Sequence, residues 1–138
     1  MKRNATAVWN GTGKDGKGTL STQSGTLKDT QYSFKSRFEE GVGTNPEELV
    51  AAAHAGCFSM KLSFNISGEN ITPESIETKA IVDLNPEKGA IVGVHLEVKV
   101  KAEGLSQEKF DELVADAKAN CPISKLLNAE ITIEATLA

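Results

Sequence analysis

Arginine is almost absent from this chain. Among its 15 basic residues only Arg3 and Arg37 are arginine, and lysine supplies the rest. The lysines are dispersed, the formal net charge is −4, and no basic cluster marks a nucleic-acid or membrane surface, so neither is expected as a partner. No stretch approaches the roughly 18 apolar residues of a membrane span. The start, "MKRNATAVWNG", is basic but lacks the apolar segment of a signal peptide, and a cytoplasmic protein is expected. Cysteine is also scarce. Cys57 and Cys121 stand far apart, which excludes a disulfide scaffold and leaves inert, metal-binding or redox-active roles. With 138 residues, 39% of them hydrophobic and 25% charged, the composition is that of one soluble domain spanning 1–138.

The first third reads as strands. "ATAVWNG", "KGTLSTQSGTL" and "QYSFKSRF" are short, rich in Thr, Ser, Val and aromatics, and separated by turn residues. "GVGTNPEEL" then opens a helix, with Asn45 as N-cap, Pro46 at the first helical position, and Glu47 and Glu48 at the positive end of the dipole. The pattern predicts that this helix runs to about Asn65. "SIETKAIVDL" and "VGVHLEVKVKA" alternate with the period of two of half-buried strands, joined by the turn "NPEKG". "SQEKFDELVADAKAN" follows as an amphipathic helix capped by Ser106, with Phe110, Leu113, Val114 and Ala117 on one face. "CPISKLL" begins a fresh helical turn at Pro122, and "EITIEATLA" closes as a strand. The expected order is β-β-β-α-β-β-α-β, an α+β fold.

The central helix is too apolar for a helix covered on one face only. Leu49, Val50, Ala53, Cys57, Met60 and Phe64 form one stripe, Ala51, Ala55, Phe58 and Leu62 another, and the only formal charge from Leu49 to Phe64 is Lys61. More than one partner must bury it, and a second copy of the chain is the expected one. The same helix carries Cys57, which reads either as a small core hydrophobe or as a reactive thiol. It lies about two to three turns past the N-cap, beyond the reach of the dipole, and apolar surroundings raise a thiol pKa. A functional Cys57 therefore needs an imported cation.

Arg37, inside "SFKSRFEE", offers a planar fork that can face a thiolate and a carboxylate together, or it is simply a surface arginine at a strand end. Glu47 or Glu48 could hold it, and helix capping explains both equally well. Glu47 and Cys57 are separated by ten helical residues, about 15 Å of rise. If both belong to one site, the carboxylate and its arginine come from a second subunit. Zinc is disfavoured: His54 and Cys57 make one mixed pair, and Cys121 and His95 are scattered singles rather than a close pair. Cys121, at the cap of a helical turn, reads as a second redox thiol or as a buried loop cysteine.

"GTNPEELVAAAHAGCFSM", "YSFKSRFE", "AVWNG" and "CPISKLL" together resemble the osmotically inducible protein C and organic hydroperoxide resistance (OsmC/Ohr) family, and "HAGCFSM" its OsmC branch. The resemblance covers nearly the whole chain. It implies an intertwined α+β homodimer with two sites at the subunit interface, and a thiol peroxidase acting on organic hydroperoxides. Carried over by motif, Cys57 matches the peroxidatic cysteine, Cys121 the resolving cysteine, Arg37 the activating arginine, and Glu47, directly after the proline, the carboxylate that orients it. No metal or other resident cofactor is implied, and an external dithiol, such as a lipoylated protein, would reduce the oxidised enzyme. Phe38, Phe58 and Met60 are the expected apolar walls of the substrate pocket. The rival expectation is an apolar-ligand-binding or stress-related structural dimer with inert cysteines.

Overall fold

A computed structural model describes residues 1–138. Its elements are β1 (Ala5–Asn10), β2 (Lys17–Thr22), β3 (Thr30–Tyr32), α1 (Phe34–Phe38), α2 (Pro46–Ser67), β4 (Ser75–Asn85), β5 (Ala90–Lys101), α3 (Gln107–Asn120), α4 (Pro122–Leu126) and β6 (Glu130–Leu137). The fold is mixed α+β, and the chain forms two compact units, Met1–Leu49 and Val50–Ala138.

The first unit is an antiparallel meander, β1-β2-β3, followed by α1. The register sets Gly18 between Trp9 and Tyr32, whose ring centroids are 5.3 Å apart. A Cβ at position 18 would run into both rings, so glycine is what lets the two aromatics meet over the sheet. The expected strand "QYSFKSRF" ends early, at Tyr32. Ser33 and Ser36 form a reciprocal capping box, each side chain accepting from the other's backbone N–H, at 3.2 and 2.9 Å. That local satisfaction of helix-start amides outweighs the β propensity of the aromatics and turns Phe34–Phe38 into one helical turn. Arg37 therefore sits on a helix and not at a strand end. No apolar side chain of this unit is buried; Ser36 and Thr44 are its buried side chains.

The second unit holds the core. Strands β4 and β5 pair antiparallel, and β6 lies parallel to β5 on its other side. A short turn can join β4 to β5, whereas the parallel β5–β6 pair needs the long connection that α3 and α4 supply. Val94, Leu96, Val98 and Val100 of β5 meet Phe58, Leu62 and Ile66 of α2 and Phe110, Leu113, Val114 and Ala117 of α3. The alternation read along the sequence sets these faces: Ile76, Ala80 and Val82 of β4, and Ile131, Ile133, Ala135 and Leu137 of β6, pack against the same cluster.

The core takes only one stripe of α2. Ala53, Gly56, Met60 and Phe64 recur at helical spacing on an exposed stripe, where Met60 is 64% and Phe64 69% exposed. Cys57 is half-buried between the two stripes.

Candidate active site

The first unit builds an arginine–carboxylate pair. Gly43 adopts φ +107° and lies against the Gln31 carbonyl, where a side chain would collide. Thr44 then bonds back to β3, its amide donating to Gln31 O at 2.8 Å. The Ser36 hydroxyl donates to Thr44 O (2.8 Å), and Asn45 Nδ2 to Ser36 O (3.1 Å), which ties α1 to the start of α2. Asn45 also caps α2, accepting from Glu48 N at 2.8 Å. With the two helix starts pinned together, Arg37 Nε and Nη2 both reach Glu47 Oε1 at 2.8 Å. Glu48 is engaged elsewhere, accepting from the Thr44 hydroxyl at 2.6 Å. Between the two glutamates, then, it is Glu47 that holds the arginine.

Glu47 Oε2 is buried without a partner, and Arg37 keeps guanidinium donors unused by Glu47. Arg37 also stacks on Phe38, with Cζ 5.1 Å from the ring centroid. Beside it opens a cleft of about 260 Å³ lined by Trp9, Tyr32, Phe34, Arg37 and Phe38. It is an aromatic pocket with one fixed cation in its wall.

The second unit brings the two cysteines together. Pro122 has no N–H to continue α3, so the chain breaks there. Cys121 becomes at once the C-cap of α3 and the N-cap of α4. Its sulfur lies 3.1 Å from Cys57 Sγ, and both thiols are free. The two sulfurs experience opposite biases. Burial pushes the Cys57 thiol above its ordinary value, and the Cys121 thiol adds to that, against a lowering effect of the Ile123 amide. Burial also acts upward on Cys121. There the Ser124 amide, the Cys57 thiol, the Ser124 hydroxyl and the Ile123 amide together hold it below the ordinary value. No group of the second unit acting on Cys57 is a cation.

His54 is fully buried, and its Nε2 lies 2.7 Å from Ser124 Oγ. It falls on the core stripe of α2 with Phe58, Leu62 and Ile66. Burial holds this imidazole below its ordinary 6.5. As the pH falls, the unfolded chain therefore takes up the proton before the folded chain does. The unfolded state binds more protons in that window, so stability declines as pH drops below about 6.5, with a slope of at most about 1.4 kcal/mol per pH unit for this one group. Urea midpoints measured from pH 7.5 down to pH 5.5 are expected to fall, and to fall less in His54→Gln. Parallel declines in the two proteins would mean that His54 titrates alike folded and unfolded.

The nominal zinc set does not assemble. Cys57 faces Cys121, His54 is bonded to Ser124, and His95 Nδ1 pairs with Thr132 Oγ1 (2.6 Å), its neighbour across β5 and β6. No three His, Cys, Asp or Glu side chains group to hold a metal ion. Of the expected pocket walls, Phe38 lines the aromatic cleft, Met60 is exposed on α2, and Phe58 is enclosed in the core. Sequence reasoning missed Trp9, Tyr32 and Phe34 as cleft residues and Ser124 as the partner of His54. The helical spacing of His54 with Phe58 and Leu62 was a usable signal that His54 points inward. Nothing local marked Ser124, which is remote in sequence from His54.

The OsmC-like protein family model matches residues 39–136, a span that includes Glu47, Cys57 and Cys121. The chain is 47% identical over 130 residues to the peroxiredoxin OsmC of Escherichia coli strain K12, covering 93% of this chain and 91% of that one. It is 32% identical over 123 residues to the organic hydroperoxide resistance protein OhrB of Bacillus subtilis, covering 87% and 88%. The crystal structure of a Bacillus subtilis OhrB superposes with a TM-score of 0.66 at 26% identity, over 98% of each chain. No helix here is long and apolar enough to cross a membrane. Fold, motif and sequence agree: the chain belongs to the OsmC-like family.

Proposed function

We propose that the protein is a thiol peroxidase that reduces organic hydroperoxides to alcohols. The observation that carries this is the pair of free thiols 3.1 Å apart, one half-buried and one fully buried. That separation needs only a small closure to the roughly 2.05 Å of a disulfide. The names of the relatives, a peroxiredoxin and an organic hydroperoxide resistance protein, support the same reaction class. Cys57 thiolate attacks one oxygen of ROOH; the S–O bond forms, the O–O bond breaks, and the alkoxide leaves and is protonated to the alcohol. Cys121 then displaces hydroxide from the Cys57 sulfenic acid, water is released, and the disulfide protects Cys57 from over-oxidation. A dithiol, such as a lipoylated protein, reopens the bond by exchange, and no resident cofactor enters the cycle.

The working form in this proposal is a homodimer with its sites at the subunit interface. A unit of 49 residues with no buried apolar side chain cannot stand alone, and α2 presents the exposed stripe of Met60 and Phe64. A second copy satisfies both needs. It also brings the Arg37–Glu47 pair of one subunit to the Cys57 of the other, supplying the cation that Cys57 lacks within its own unit. The aromatic cleft beside Arg37, with Phe38 in its wall, then takes the apolar tail of the hydroperoxide.

The rival reading, an apolar-ligand-binding or structural dimer with inert cysteines, draws on the upward push on the Cys57 thiol. Intact mass before and after one equivalent of cumene hydroperoxide separates the two. The parent protein is expected to lose two hydrogens, and Cys121→Ser to gain one oxygen or the products of further oxidation. Unchanged masses with both thiols free would leave the binding module as the better description.

A further inference from the structure

We propose that the cleft beside Arg37 takes an aromatic ring, so that aryl hydroperoxides are the preferred substrates, and that Trp9 is the residue that sets this preference; the hydroperoxide itself rests on the peroxidase reading above. The chain has five phenylalanines, one tyrosine and one tryptophan, and four of these seven, Trp9, Tyr32, Phe34 and Phe38, line this one cleft. None of the four is buried, so they surround a space and do not form a core. Trp9 is fixed in place from two sides. The turn after β1 closes on the Thr12 carbonyl, which accepts from Gly16 N at 2.8 Å and from Trp9 Nε1 at 3.2 Å. On β2, a Cβ at Gly18 would strike both the indole and the Tyr32 ring. Gly18 is not among the glycines with positive φ, so its backbone does not demand glycine. The two rings do.

The cleft has the size of one substituted ring. A dry cavity of roughly 150 Å³ holds benzene, and sites for larger ligands begin near about 300 Å³. At about 260 Å³ this cleft takes a phenyl group with a short branched substituent and not a long acyl chain. Its walls also suit a ring. Aromatic rings attract one another in tilted arrangements with centroids about 4.5–7 Å apart. The wall rings already meet in this way, Trp9 with Tyr32 at 5.3 Å and 54°, Phe34 with Phe38 at 4.9 Å and 44°. An entering ring therefore finds both edges and faces, whereas an alkyl group gains only buried area. Arg37, held at 2.8 Å by Glu47, marks the polar end. The hydroperoxy oxygens lie toward the guanidinium and the ring toward Trp9. Trp9 acts on which hydroperoxide is held, and the bonds made and broken are those of the cycle already given.

The test has two readouts. Trp9 is the only tryptophan of the chain, so its fluorescence reports on the cleft directly. The full chain carrying Cys57→Ser is titrated with 2-phenyl-2-propanol, the alcohol that cumene hydroperoxide would yield, and with tert-butanol. Trp9 emission is expected to change saturably, at a concentration about tenfold lower for the aryl alcohol, the scale of one aromatic contact and the area it buries. In the protein with both thiols and a dithiol reductant, the ratio of kcat/KM for cumene hydroperoxide to that for tert-butyl hydroperoxide is the second readout. It is expected to fall about tenfold in Trp9→Ala and to recover in Trp9→Phe, which keeps a ring. A ratio unmoved by Trp9→Ala would overturn the proposal. So would emission indifferent to the aryl alcohol, the result expected if a second copy of the chain covers the cleft. The titration needs neither Cys57 nor a hydroperoxide, so its failure is distinct from a failure of peroxidase activity, which the mass experiment reads.

Discussion

Cys57→Ser is expected to lower the consumption of cumene hydroperoxide, with a dithiol as reductant, by at least about a thousandfold, the scale of removing a covalent nucleophile. A serine hydroxyl at this point of α2 has no adjacent base, and at neutral pH it stays protonated. Cys121 cannot replace the lost thiol, because it is fully buried while Cys57 is not. Cys121→Ser should behave differently: the first oxidation of Cys57 proceeds, turnover falls, and activity decays with each cycle as the unprotected sulfenic acid oxidises further. Following hydroperoxide loss over many turnovers reads both effects. A Cys57→Ser protein retaining activity within tenfold of the parent would move the reaction away from this helix.

Arg37→Ala should cost about a hundredfold in the same assay, the size of losing one fixed donor aimed at a developing or resident anion. Its partner experiment has a sharper outcome. Arg37→Ala keeps only about a hundredth of the parent activity and Cys57→Ser less, but if each site takes Arg37 from one subunit and Cys57 from the other, a mixed dimer holds one intact site. Equal amounts of the two variants, unfolded together and refolded, should then recover about a quarter of the parent activity, since half the dimers are mixed and half of their sites are whole. A site built within one subunit gives no recovery, because every site in every dimer then carries a lesion. The helical rise of about 15 Å between Glu47 and Cys57 along α2 is the physical ground for expecting recovery. Separate peaks for monomer and dimer in sedimentation would test the assembly directly, and a monomer at assay concentration would remove the two-subunit site.

The parts of the fold legible in the sequence were those governed by local periodicity. The faces of β4, β5 and β6 and the buried stripe of α3 lie where alternation and helical spacing put them, because one side of each element must be apolar to meet a core. Caps were legible too: Asn45 and Ser106 are both used, since their side chains satisfy amides only a few residues away. The miss was α1. Tyrosine and phenylalanine along "QYSFKSRF" favour a strand, and the two serines that cap each other outweighed them. The central helix was only half legible. Its apolar character was plain, but which stripe would face the core and which would be left open depended on what packs against it.

The sequence by itself determined the elements other than α1, the placement of Cys57 in an apolar helix and of Cys121 before a proline, the scarcity that singled out Arg37, and the family. Tertiary structure alone decided the rest. It brought the Cys121 sulfur to 3.1 Å from that of Cys57, set Arg37 Nε and Nη2 at 2.8 Å from Glu47 Oε1, the carboxylate the family resemblance had implied, and joined His54 to a serine on another helix. The physical reason is range. Periodicity, capping and turn chemistry act over a few residues and leave their mark in the local order of the chain. A thiol pair, an ion pair or a buried hydrogen bond depends on distances between elements, which are set by how the core closes and carry no signature in the neighbouring residues.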